Sequence, residues 1–126
     1  MRHHLYPEQK ILHLDLNSGV SADRALEMAV PILEARPELW SWDWIVDARV
    51  VPEDVTIAHV ARLAELFKKP DRAALTIFAT QDRFMHLWAR VMDFQFPGRR
   101  HLIAGSAVAG VRLIGKRRSA MKMNAI

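Results

Sequence analysis

Four apolar runs, at residues 10–16, 40–48, 73–79 and 99–104, alternate with stretches whose apolar residues recur at helical spacing. That alternation limits the possible folds more than any other feature of the chain. A strand, a helix and a second strand close as a right-handed crossover, and a chain that repeats the unit builds a largely parallel sheet.

The first run sets Leu12, Leu14 and Leu16 against His13 and Asp15, the period of two of a strand with one buried face. A short strand around 4–6, turning at 7–10, predicts an antiparallel opening hairpin. Asn17-Ser18-Gly19 supplies loop chemistry. Ser21 suits an N-cap and Asp23 the first helical turn, ahead of a stripe of Leu26, Ala29, Val30 and Leu33. Pro31 removes a hydrogen bond inside that helix, which predicts a kink and an end near Arg36-Pro37.

In the second run Trp40, Trp42, Trp44 and Val46 alternate with Ser41, Asp43, Ile45 and Asp47. Pro52 then opens a helix at its first position, with Glu53 and Asp54 near its positive end and Val60, Leu63, Ala64 and Phe67 as the buried stripe. The third run is apolar throughout. Thr80 or Asp82 caps a helix in which Phe84, Leu87, Trp88 and Val91 form the stripe. After a last short strand, Ser106 caps a short helix that Gly115 stops. The expected architecture is one α/β domain over residues 1–115. Its mixed sheet has four to five strands, mostly parallel with an N-terminal antiparallel hairpin, packed with about four helices. Residues 116–126 are expected as a flexible basic tail.

Composition narrows the chemistry. A chain of 126 residues is one domain by default and buries roughly two-thirds of the surface its unfolded form exposes. With no cysteine, disulfides, thiolate catalysis and cysteine-built zinc sites are excluded. No run approaches the roughly 20 apolar residues that span a bilayer, and no apolar signal core follows the first four residues. A cytoplasmic protein with no transmembrane segment is expected. Charge is uneven. Asp93 is the last carboxylate, and Arg99, Arg100, Arg112, Lys116, Arg117, Arg118 and Lys122 follow it. In the first 96 residues 11 basic residues face all 14 acidic ones, a net −3. A basic end attracts anionic surfaces without selecting among them.

The order of elements, with a strand ending in Ile45-Val46-Asp47-Ala48-Arg49, resembles the STAS fold. More narrowly it resembles the bacterial proteins described as anti-anti-sigma-factor-like. Three segments carry the likeness: the hairpin and strand through residue 16, the strand at 42–49, and the strand at 72–80 with the helix and strand after it. Together they cover nearly the whole chain. The resemblance implies a non-enzymatic domain, without a cofactor, that docks a protein partner or binds a small ligand. In the regulatory members a partner kinase phosphorylates a serine in an Asp-Ser-Ser-Gly-like turn, at the start of the helix after the second major strand. Here that stretch is Pro52-Glu53-Asp54-Val55-Thr56, with no serine and Thr56 as the only hydroxyl.

No histidine pair has the i, i+4 spacing of a helical metal site, no Gly-x-Ser-x-Gly supplies a nucleophile, and 5 glycines form no phosphate-cradling loop. Neither catalytic residues nor metal ligands are assigned. Two surfaces remain as candidates for a partner or ligand. One comprises Asp47, at the C-terminal end of a parallel strand where open α/β sheets place ligands, with Arg49, Glu53, Asp54 and Thr56. The other is a basic ridge of Arg83, His86 and Arg90 on the third helix, otherwise a solvated face. Trp40, Trp42 and Trp44 are either core or an apolar ligand or dimer face. The expected function is a protein-interaction module for an unidentified partner or a second copy. The alternative is a binder of a lipid or small apolar molecule. A third reading is weak binding of anionic surfaces by the basic tail; nucleic acid is disfavoured as a specific partner.

Overall fold

Lys10 takes a positive φ of 53° and its N–H donates to the Pro7 carbonyl, closing the turn between β1 (Arg2–Tyr6) and β2 (Ile11–Asp15). In the computed structural model, which describes residues 2–17, 19–49 and 52–124, the chain continues as an alternating series. It runs through α1 (Ala22–Ala35), a 3-10 helix (Pro37–Ser41), β3 (Asp43–Asp47) and α2 (Ile57–Glu65). Then come β4 (Ala74–Ala79), α3 (Met85–Gln95), β5 (Arg99–Ala104) and α4 (Ala107–Asn124). The five strands lie in sequence order; β1 is antiparallel to β2 and every other pair is parallel. Among the described residues no helix is long and apolar enough to cross a membrane.

Sequential parallel strands joined by crossovers of one hand place every connecting helix on the same face of the sheet. The two sides of each strand accordingly enter two cores. Leu12, Leu14, Trp44, Val46 and Phe78 enter a large core with Leu33 of α1, Val60 of α2 and Met85 of α3. Ile11, Ile45, Ile77 and Ala79 point to the other face, where Ile114 of α4 covers them. The connecting helices leave that second face to α4, whose Ala107, Leu113 and Ile114 pack there. The helix runs past Gly115 to Asn124, so the expected stop at Gly115 does not occur and residues 116–124 are helical, while residues 125 and 126 of the expected tail lie outside the described residues. One helical glycine costs about 1 kcal/mol, and beyond it the helix is held by Arg118, which reaches Asp43 at the start of β3.

Three other expectations need correction. The second strand starts at Asp43, because Pro37 opens a 3-10 helix that takes in Trp40. Trp40, Trp42 and Trp44 therefore share a core without sharing a strand face, and the Trp44 indole N–H donates to the Leu39 carbonyl at 2.7 Å. Helix α2 starts after Thr56, so Pro52, Glu53 and Asp54 precede it. The buried side of α3 is turned by one residue. Met85 and Ala89 are buried, with Trp88 and Met92 packed beside them, while Phe84 and Leu87 face outward. Helix α1 begins after the Ser21 cap as expected, with the Ser21 hydroxyl accepting from the Arg24 N–H.

Candidate functional site

The loop between β3 and α2 gathers most of the first candidate group, and each member already has structural work. The Asp47 carboxylate accepts from the Asn17 amide at 3.1 Å and lies 3.8 Å from His13 Nε2. Asn17 in turn accepts the Arg49 N–H, so the ends of β2 and β3 are tied together. Asp54 caps α1 rather than α2: both its oxygens accept the Ala22 N–H, at 2.9 and 3.1 Å. That bond to Ala22 holds the Asp54 carboxyl below its ordinary range, against the opposing effect of desolvation. Glu53 is exposed.

Thr56 is the N-cap of α2, and its N–H donates to His59 Nδ1 at 3.0 Å. An accepting Nδ1 puts the ring proton on Nε2, which approaches Asp23 Oδ1 at 2.6 Å. Asp23, Asp54 and His59 thus offer ligand atoms within 4.8 Å of one another. No sequence spacing signals this trio, because α1 and α2 contribute to it from 36 positions apart. Their atoms are already engaged in two helix caps and one charge-assisted hydrogen bond, the ordinary chemistry of adjoining helix N-termini.

The second group lies at α3: Arg83 in the turn just before it, His86 and Arg90 within it. Arg83, His86 and Arg90 are all exposed. Beside them runs a row that the expected burial had hidden. Phe84 is 70% exposed, Leu87 66% and Phe94 89%, with Val91 half-buried between them. Spacings of three, four and three put these four on one side of the helix, the pattern of a helix-pairing seam. Asp93, the single carboxylate of α3, is turned the other way and accepts from His101, through its N–H at 2.7 Å and with Nδ1 at 3.0 Å.

Between α1, α2, α3 and the sheet lies a cavity of about 180 Å³. Trp40 and Trp44 line it with Leu14, Val46, Val60 and Phe78, while Thr76, Arg99 and His101 bring polar atoms to its wall. Sequence reasoning missed Arg99, the first residue of β5, which is only 3% exposed. Its two terminal nitrogens donate to the carbonyls of Leu75, Trp40 and Trp42 and to the Thr76 hydroxyl. The guanidinium lies 4.3 Å from the centre of the Trp44 ring. Burial lowers its pKa to about 9, with Asp43 opposing, so it remains charged at neutral pH. Burial also pushes His101 down to about 4, although Asp93 pulls the other way.

Comparisons with protein-family models, curated proteins and solved structures find no match.

Proposed function

We propose that this chain is a non-enzymatic protein-interaction module, similar in element order to the anti-anti-sigma-factor-like domains and working without their serine switch. It docks its partner on the outer face of α3. One observation carries this reading: Phe84, Leu87 and Phe94 lie open in one row with the half-buried Val91, and Arg83 and Arg90 run along one flank. Contiguous exposed apolar side chains rimmed by charge mark interaction surfaces.

Charge narrows the partner. Arg83, His86 and Arg90 face outward, and Asp93 is held by His101. A second copy of this face therefore brings the arginines no free carboxylate of α3, which disfavours self-pairing here. An amphipathic helix with an acidic flank meets both requirements, apolar side chains for the seam and carboxylates for the arginines. The test is titration with two designed helical peptides that share a leucine seam, one flanked by glutamates and the other by lysines. The reading expects saturable binding of the glutamate peptide, lost in Leu87→Glu, and none of the lysine peptide. Equal binding of both, or of neither, contradicts it.

A further inference from the structure

We propose that the cavity beneath α1, α2 and α3 is a binding site for a small apolar carboxylate, whose charge is met by Arg99. This goes beyond docking on α3 and uses the opposite side of that helix.

Two independent observations converge. The first is the cavity, about 180 Å³ and walled mainly by aliphatic and aromatic side chains. An apolar cavity of about 150 Å³ takes up benzene in an otherwise intact protein, so this volume suits one ring or a short acyl chain. The second is the unfinished bonding of Arg99. Four of its five N–H groups reach oxygen, while the buried Nε–H has no partner. Among the described residues no carboxylate lies within 4.0 Å of its guanidinium. Buried charges are normally paired and buried donors normally bonded. Arg99, among the described residues, has no carboxylate in contact and one donor without a partner, and its side chain contributes to the wall of an apolar cavity.

The ligand class follows from what is missing. A neutral apolar molecule fills the volume but leaves both the Nε–H and the positive charge unmatched. A phosphate brings a second charge and more acceptors than one remaining N–H can serve. A single carboxylate supplies one charge and the missing acceptor, in a charge-assisted hydrogen bond. The lining also suggests where such a molecule enters. Leu16, Pro52, Val55 and His59 line the cavity yet remain only half-buried. They lie by the C-terminal ends of β2 and β3 and the start of α2, where open α/β sheets usually admit ligands.

The experiment uses the full chain and matched probes: phenylacetate against 2-phenylethanol, and octanoate against 1-octanol. Thermal unfolding and tryptophan emission are followed together, since Trp40 and Trp44 line the cavity. At least one acid is expected to raise the melting temperature and shift the emission, with an affinity at least tenfold tighter than its alcohol. Ala29→Phe, which fills the cavity from α1 and leaves Arg99 in place, is expected to abolish both responses while the protein remains folded. No response to either acid overturns the proposal. So does an alcohol that binds as well as its acid, or undiminished acid binding by a folded Ala29→Phe protein.

Discussion

Arg118 closes on Asp43 across 75 positions of sequence, with its Nε at 2.9 Å and Nη2 at 2.8 Å from the same carboxylate oxygen. Asp43 is 1% exposed and also accepts the Leu75 N–H. The pair fastens the last part of α4 to the start of β3. Removing one partner of such a pair leaves a buried charge poorly compensated, which costs 3–5 kcal/mol when both partners are fully buried. Arg118 retains about a third of its side-chain exposure, and Arg72 stands 3.7 Å from the same oxygen. Arg118→Ala should therefore lose a smaller amount, about 2 kcal/mol, measured by urea unfolding. Truncation after Gly115 should cost at least as much, and an unchanged midpoint for the truncated chain would contradict the role given to α4.

Two glycines of α4 should respond differently to alanine. Gly115 has open space where a Cβ would stand, so Gly115→Ala should gain about 1 kcal/mol from helix propensity alone. At Gly110 the new Cβ would lie 3.1 Å from Ile77 Cγ2, in the core between α4 and the sheet. Crowding there offsets the propensity gain, because a well-packed core resists an added methyl group. Paired denaturation curves should show Gly115→Ala more stable than Gly110→Ala by about 1 kcal/mol or more.

His101 makes stability depend on acid. Its pKa in the fold is about 4, below the 6.5 of a free histidine, so the unfolded chain binds the proton first. The group's contribution is fully present above pH 6.5 and is lost as pH falls through that value toward 4. Over this window the loss approaches about 3 kcal/mol at roughly 1.4 kcal/mol for each unit of pH. Unfolding midpoints between pH 7 and 4 should fall accordingly, and His101→Gln should remove much of the slope. An NMR titration that places the His101 midpoint near 6.5 would contradict this.

Asp54 holds the start of α1 from the loop before α2. Asp54→Ala should cost about 1 kcal/mol, the usual worth of a lost helix cap. Glu53→Ala, at the exposed neighbour, should change stability by less than about 0.5 kcal/mol. Thermal melts of the two variants distinguish a capping aspartate from a generally useful acidic loop.

The strands and their sequence order of elements were legible because period-two runs such as Leu12, Leu14 and Leu16 admit little else. The face of α3 was not. Phe84, Leu87 and Val91 keep helical spacing and are more apolar than Met85 and Ala89, so burial was expected on the side that proves exposed. Residues 116–124 continue the helix that covers Ile45 and Ile77, and they are tied to β3 by Arg118 and Asp43, a contact across 75 positions. No local pattern carries that information. Of the candidate residues, Arg83, His86 and Arg90 do share an exposed face, whereas the Asp47–Thr56 group is spent largely on loop ties and caps. Arg99 escaped notice because a basic residue at a strand start reads as solvated.

Charge exchange on α3 tests the docking reading most directly. The double variant Arg83→Glu, Arg90→Glu alters only exposed side chains, and it should fold with the stability of the parent to within about 1 kcal/mol. Binding of the two designed peptides is then measured for both proteins by fluorescence anisotropy. The account predicts an exchange of preference: the parent binds the glutamate-flanked helix, and the double variant binds the lysine-flanked helix with at least tenfold preference. A double variant that keeps the parent's preference would contradict docking on this face.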